Sequence, residues 1–143
     1  MSSEEQNLRI LGLTLLIGAI YDSAVGISTL LAPDLIATSL GIIIPREAFY
    51  YRLAAVLLLL LSFFYLLGYL QTEKNIAIVP GSIVARTGGF LFLAIYPIFL
   101  GESPAWLLLS VVDLLFLIVH YYFLRRSGYS FFSAILGEKR RIT

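Results

Sequence analysis

The chain of 143 residues has no cysteine, one histidine and one methionine. The absence of cysteine excludes disulfide bonds, thiolate metal sites, cysteine nucleophiles and covalent attachment of a c-type haem. With a single histidine, the chain alone cannot build a metal site that needs several imidazole ligands. We therefore expect neither a metal site nor an evident cofactor.

Charged residues are also scarce. They make up 13% of the chain, whereas 59% of its residues are hydrophobic, and a typical soluble domain has about 25% charged residues. The formal net charge is +1, which gives no reason to expect nucleic acid as a partner. The composition predicts an integral membrane protein whose main partner is the lipid bilayer.

The hydrophobic residues are concentrated in four long segments. Each has about 20 residues, the length that a helix needs to cross a bilayer. The sequence therefore predicts an all-α fold, an integral membrane four-helix bundle that forms a single domain over residues 1–143. The four predicted spans cover residues 11–31, 49–70, 78–100 and 104–124.

Two segments outside the spans have helical signals as well. The stretch from Pro33 to Ile44 starts with Pro–Asp and contains Gly41, which predicts a short interfacial helix that ends near the glycine. The tail after Arg126 predicts an amphipathic helix on the inner leaflet, with docking onto a partner protein as the alternative. The residues expected to hold the tail to the leaflet are Phe131, Phe132, Ile135, Leu136 and the basic run from Lys139 to Arg141.

The basic residues outside the apolar segments predict the orientation. Four spans place both termini on one side of the membrane. The opposite side has only Arg46 and, just inside span two, Arg52, while the loop before span four carries Glu102. The positive-inside rule therefore predicts cytoplasmic termini. The basic residues on the side of the termini are Arg9, Lys74, Arg125, Arg126, Lys139, Arg140 and Arg141.

Each predicted span also contains one charged residue of particular interest: Asp22, Arg52, Arg86 and Asp113. A charge at the centre of a bilayer costs about 2.5–3.5 kcal/mol on insertion scales, so such residues are rare without a partner or a task. Two acids and two bases predict a neutral cluster inside the bundle. The expected pairs are Asp113 with Arg86 and Asp22 with Arg52.

Polar and small residues recur at helical spacing on each span, which predicts faces that point into the bundle. The expected inward faces are Gly18, Asp22, Gly26 and Thr29 on span one; Arg52, Ala55, Leu59 and Ser62 on span two; Gly81, Ala85 and Gly89 near Arg86 on span three; and Trp106, Ser110, Asp113, Leu117 and His120 on span four.

Two interpretations of the charged cluster remain open. Buried pairs could fix only the register of the helices, and such pairs are not reliable stabilisers because desolvation offsets their attraction. Alternatively, the cluster could bind the polar head of a ligand or relay protons.

Three further residues are secondary candidates. Tyr21 precedes Asp22, and Ser110 shares the face of Asp113. His120 lies one turn inside the end of span four, where an interfacial aromatic belt is the simplest interpretation. Axial ligation of a haem or chlorophyll, or proton acceptance near a quinone, are the alternatives for His120.

The arrangement resembles small four-span bacterial proteins of the DoxX-like superfamily. The residues that carry the resemblance lie between about residues 9 and 124: Asp22, Pro33, Asp34, Gly41, Arg52, Arg86 and Asp113. The resemblance implies a four-helix bundle with a pocket among the helices, in the plasma membrane of a bacterium or an archaeon. It also implies a link to membrane subunits of quinone-dependent sulfur oxidation or oxidative-stress complexes. Related sterol-isomerase-like proteins use such a bundle as a lipid pocket, but this chain lacks the expected set of His and Glu residues.

The sequence thus favours a membrane protein without catalytic activity of its own. It would be an accessory subunit of a larger complex, or a bundle that binds a lipid, quinone or other amphipathic molecule. A membrane enzyme or redox subunit with a buried aspartate as acid or base is the second hypothesis. A proton-coupled transporter or channel is the third, and a homo-oligomer would support it.

Overall fold

Four helices of the computed structural model are long and apolar enough to cross a membrane. The structure describes residues 2–41, 48–101 and 103–139, and within these ranges it is helical with no strand. The prediction of an all-α membrane bundle is therefore confirmed. Four sequence predictions concern positions outside the described residues: Arg46, Glu102, Arg140 with Arg141, and the last three residues of the stretch from Pro33 to Ile44.

The helices follow one another with short connections. The long ones are α1 (Ser3–Leu31), α3 (Ala48–Leu70), α4 (Ile78–Leu100) and α5 (Ala105–Arg126). Two short ones are α2 (Pro33–Leu40), which follows α1, and α6 (Phe131–Ile135), which follows α5.

The ends of the helices have recognisable local causes. Helix α1 begins eight residues before the predicted span because Ser2 caps it and Glu5 closes a capping box. Helix α2 has a proline in its first turn and ends at Gly41, whose φ of 61° is the left-handed conformation that terminates helices. Helix α4 continues through Pro97 to Leu100. The predicted interfacial helix is thus present over its described part.

The spans pack in the order α3, α1, α5, α4. Helix α1 packs most extensively on α3, α4 packs on α5, and α1 also contacts α5. The contact between α3 and α4 is much smaller. It is formed close to their connection, where Ile78 packs over Gly68 and the Asn75 side chain donates a hydrogen bond to the Leu67 carbonyl at 2.9 Å. Beyond this point α3 and α4 diverge.

The buried apolar core lies in the half of the bundle that carries both termini, here called the terminal end. It is built from Leu11, Leu15, Ala19, Tyr65, Ile76, Val79, Ile83, Leu124, Tyr129 and Ala134. The opposite end carries α2.

Helix α6 covers the terminal end. Tyr129 and Ala134 are buried against the bundle, whereas Phe132 and Leu136 are exposed. The tail therefore packs on the bundle with one side and leaves its other side exposed. A 2.9 Å ion pair between Lys139 and Glu4 joins the tail to the first turn of α1.

Candidate functional site

Arg86 lies at the centre of the candidate site. Its Nη2 donates to Asp22 Oδ2 at 2.8 Å, and its Nη1 donates to Asp113 Oδ1 at 2.7 Å. Arg86 therefore connects α4 to α1 and to α5. The exposed fractions of the three side chains are 4% for Arg86, 0% for Asp22 and 14% for Asp113. We call these three residues the ion-pair cluster.

Glycines make room for the cluster. Asp113 lies against Gly89, so that a Cβ at this position would collide with its carboxylate. A Cβ at Gly18 would lie 3.2 Å from the ring of Tyr65 and 3.6 Å from Arg86 Nη2. Both glycines belong to the predicted inward faces. The predicted face of span three is wrong at Gly81 and Ala85, which are exposed, because α4 turns this side away from its neighbours. On α1 the whole predicted face is buried: Gly18, Asp22, Gly26 and Thr29.

Three aromatic rings surround the guanidinium group. The Cζ atom of Arg86 lies 4.7 Å from the ring centre of Phe116, 5.3 Å from that of Tyr65 and 6.0 Å from that of Tyr21. Cations favour the faces of such rings when water is excluded. Sequence reasoning did not include Phe116, although it is three residues after Asp113 and four before His120, on the same helical face.

The structure corrects the prediction for Arg52. Asp22 pairs with Arg86 and not with Arg52, which is exposed near the start of α3. Among the described residues, no ion pair involves Arg52. The predicted pair of Asp113 with Arg86 is confirmed. The cluster therefore contains two acids and one base, and it is not the neutral set of four that the sequence suggested.

His120 is also placed differently from the simplest expectation. It is fully buried inside the bundle and does not lie in an interfacial belt. Its Nδ1 is 2.8 Å from the hydroxyl of Ser82, and its ring packs against Tyr65 and Phe116 at centre distances of 6.1 and 5.8 Å. Sequence reasoning missed Ser82, which precedes Arg86 by one helical turn on α4. A cofactor contact of His120 stays a prediction.

The other two secondary candidates lie near the cluster. Tyr21 packs against Phe116 with ring centres 5.9 Å apart. Ser110 is buried, and its hydroxyl donates to the carbonyl of Leu107 in its own helix at 2.8 Å. Ser110 therefore satisfies its hydrogen bond within α5, whereas Tyr21 contributes to the aromatic surroundings of Arg86.

A cleft opens between α3 and α4 where the two helices diverge. Its cavity has a volume of about 260 Å³. Phe64 and Gly81 are exposed residues of its wall, so the cleft reaches the outer surface of the bundle. The complete lining is Leu61, Phe64, Tyr65, Ile78, Gly81 and Ser82.

Two side chains connect the cleft with the interior of the bundle. Tyr65 and Ser82 line the cavity and are buried. Tyr65 contacts the guanidinium of Arg86 with its ring, and Ser82 binds His120. Within the described residues, the Tyr65 hydroxyl has no hydrogen bond of normal geometry. The cleft thus ends at hydroxyl groups, behind which the charged residues lie.

Two atoms of the ion-pair cluster also have no hydrogen-bond partner among the described residues. They are Oδ1 of Asp22 and Nε of Arg86. Buried polar atoms are paired in the great majority of cases, so each exception calls for an explanation.

Comparisons with protein-family models, with curated proteins and with solved structures find no match to this chain.

Proposed function

We propose that this membrane protein binds an amphipathic molecule in the cleft between α3 and α4. The observation that carries the proposal is the cleft itself, an apolar cavity open at the outer surface of the bundle and closed on its inner side by two hydroxyl-bearing side chains. Pockets that enclose a whole small molecule usually have about 300–1,000 Å³. A cavity of about 260 Å³ therefore suits a small head group or a segment of an apolar chain.

The lining indicates the chemistry of the head group. Tyr65 and Ser82 offer hydroxyl groups, and the other four residues of the wall are apolar or glycine. A charged head would lose its hydration in this cleft without gaining an ion pair, which is costly. We therefore expect an uncharged head that forms hydrogen bonds, such as a quinone carbonyl or an alcohol, attached to a hydrophobic tail.

This ligand class modifies the expectation that the charged residues hold the head group. Arg86 and Asp22 are buried and already paired with each other. Their proposed part is indirect, because the cluster holds α4, one wall of the cleft, against α1 and α5, and Arg86 contacts the ring of Tyr65 on the other wall. The DoxX-like resemblance, which implies a pocket among the helices, is compatible with this proposal and remains a proposal itself.

Two glycines of α4 allow a matched test of the cleft. An added Cβ at Gly81 or at Gly88 would meet no atom within 4 Å, but only Gly81 lines the cavity. Gly81→Leu should fill the cleft, and Gly88→Leu should add the same side chain to α4 outside it. Both variants should fold, since neither new side chain starts in occupied space.

The measurement is native mass spectrometry of the protein extracted gently from its own membranes. We expect the wild type and Gly88→Leu to carry a defined lipid or quinone mass, and Gly81→Leu to lose most of it. Rebinding of a short-chain quinone analogue should exceed rebinding of a fatty acid of equal chain length. Equal retention by both leucine variants would contradict the site, and stronger binding of the fatty acid would contradict the head-group class.

An accessory-subunit role is the second candidate, favoured by one observation. Gly81, Ala85 and Gly88 form a face of α4 that is exposed in the structure. Small residues let transmembrane helices approach closely, so this face suits the helix of another membrane protein. The same mass spectrum separates the two candidates, because a retained polypeptide that is lost in Gly88→Leu would favour the accessory role.

A further inference from the structure

The charges of the ion-pair cluster do not balance. The guanidinium of Arg86 carries one positive charge, and it binds one oxygen of Asp22 and one of Asp113. With both carboxylates ionised, the cluster has a net charge of −1 inside the membrane spans. A buried charge without a counterion is costly, so such groups are usually neutralised.

Among the residues that the structure describes, no neighbouring group supplies the missing positive charge. From α1 the cluster is faced by Tyr21, from α3 by Tyr65, and from α5 by His120. The tyrosines are neutral, and a proton on His120 would place a second cation near Arg86. Arg52 is exposed and forms no ion pair with a described residue. Helices α2 and α6 lie at the two ends of the bundle. Helix α2 mainly contacts α1, and α6 contacts α4 and α5.

We propose that the ion-pair cluster binds one exchangeable proton, and that Asp22 carries it. The two carboxylates differ in their surroundings. Asp22 is completely buried and its Oδ1 has no hydrogen-bond partner among the described residues, whereas Asp113 keeps an exposed fraction of 14%. The ionised form is therefore penalised less by burial at Asp113 than at Asp22, and a proton on Oδ1 of Asp22 removes the uncompensated charge. The bound proton makes the cluster neutral, and its release makes the cluster singly negative.

This proton site is independent of the ligand proposed for the cleft. It depends on the geometry of α1, α4 and α5, and the cleft depends on α3 and α4. A bundle with an empty cleft would still hold the proton, and a bundle without the proton could still bind an apolar molecule.

The sequence makes a direct test practical, because the chain has only three aspartates: Asp22, Asp34 and Asp113. Aspartate labelled with ¹³C at the side-chain carboxyl gives three signals in solid-state NMR of the protein in lipid. The pairs Tyr21–Asp22 and Val112–Asp113 each occur once in the sequence. Pairwise labelling of the preceding carbonyl and the aspartate nitrogen therefore assigns both buried residues without any substitution.

At neutral pH we expect the Asp22 signal to have the shift of a carboxylic acid and the Asp113 signal that of a carboxylate. As the pH is raised, the Asp22 signal should move to the carboxylate position. The exposed Asp34 serves as the internal reference, and Asp34→Asn removes its signal while leaving the cluster intact. Two carboxylate signals for Asp22 and Asp113 at neutral pH would overturn the proposal. An acid signal from Asp113 instead of Asp22 would overturn the assignment of the proton.

Discussion

At the scale of single residues, Arg86 provides the positive charge that offsets the cost of burying Asp22 and Asp113 inside the bundle. It is the only cation in contact with Asp22 and Asp113 among the described residues. Removing one member of a buried ion pair leaves the other charge uncompensated, which costs about 3–5 kcal/mol. The role of Arg86 is therefore testable by comparison with Arg52, an arginine on the surface of the neighbouring helix.

We predict that Arg86→Gln lowers the free energy of unfolding by about 3–5 kcal/mol. Arg52→Gln, at an exposed position, should change it by no more than about 0.5 kcal/mol. Reversible unfolding in mixed micelles measures both values. An equal effect of the two substitutions would show that the cluster does not stabilise the fold.

The sequence predicted this cluster in part. Asp22, Arg86 and Asp113 were identified because charges inside apolar spans are rare, and the Arg86–Asp113 pair was predicted with its correct partner. The partner of Asp22 was wrong because depth along a helix is readable from sequence but the rotation of each helix about its axis depends on packing. The roles of Ser82 and Phe116 follow from that packing as well.

At the scale of the helices, α1 and α3 approach each other closely at Gly26. A Cβ at Gly26 would lie 3.0 Å from the carbonyl oxygen of Ala55 and 3.0 Å from Cγ of Leu59. The backbone of α3 cannot move away without losing its other contacts with α1. A glycine is therefore required at this position, as the predicted inward face of span one suggested.

We predict that Gly26→Ala destabilises the protein by about 1–3 kcal/mol, the usual cost of overpacking a core. Gly88→Ala is the control, because a Cβ there would meet nothing within 4 Å. In that variant the loss of helix-interior glycine should instead stabilise α4 by about 0.5–1 kcal/mol. Thermal unfolding in one detergent gives both shifts, and a destabilising Gly88→Ala together with a neutral Gly26→Ala would contradict the packing described.

The ion pair between α1 and the tail is sensitive to pH and salt. The Glu4 carboxylate accepts a hydrogen bond from Lys139 and raises the pKa of that amine. Because the pKa of Lys139 is raised in the folded state, the pair contributes its full stabilisation of the fold at pH values below the pKa of lysine in the unfolded chain, which is about 10.4. The stabilisation is then lost as the pH rises through the pKa of the folded state.

We predict a small difference in thermal stability between the wild type and Lys139→Gln. Both groups of the pair are partly exposed, so salt should reduce the difference. The difference should be constant around neutral pH and disappear in strongly alkaline solution. Lys74→Gln, at an exposed position of the same end, is the control and should show no such dependence. A difference that grows with pH would exclude the Glu4–Lys139 pair as its cause.

The helices were more predictable than the contacts of the tail. The spans were predicted from apolar segments of suitable length. Their bounds agree with the structure to within two residues except at the start of α1, which the Ser2 cap extends toward the terminus. The tail was expected to lie on the leaflet through Phe131, Phe132, Ile135 and Leu136. Composition alone could not reveal that Tyr129 and Ala134 would find a buried place against the bundle.

At the scale of the whole molecule, the four spans form an incomplete ring. Three neighbouring pairs pack closely, and the fourth pair, α3 and α4, leaves the cleft. This opening lies in the wall of the bundle and not at its end, so a ligand would enter from the lipid. Amphipathic molecules concentrate in the same phase, which agrees with the proposed function.

The orientation of the bundle can be measured by labelling single introduced cysteines. The chain has no cysteine of its own that would give background labelling. Ser39 on α2 and Glu138 after α6 are exposed at opposite ends. With cytoplasmic termini, a membrane-impermeant maleimide should label Ser39→Cys from the outside of intact cells. It should label Glu138→Cys only after the membrane is opened, and the reverse pattern would contradict the positive-inside prediction.

The three-helix contact of Arg86 also implies an order of events during synthesis. The ribosome delivers Asp22 to the membrane before Arg86, and Asp113 after it. When α4 leaves the translocon, it meets a carboxylate in α1 that forms a neutral pair with its arginine and offsets the roughly 2.5–3.5 kcal/mol penalty of inserting that charge. We therefore expect α1 to assist the insertion of α4, and α5, whose aspartate brings the excess negative charge, to join an arginine that Asp22 already holds.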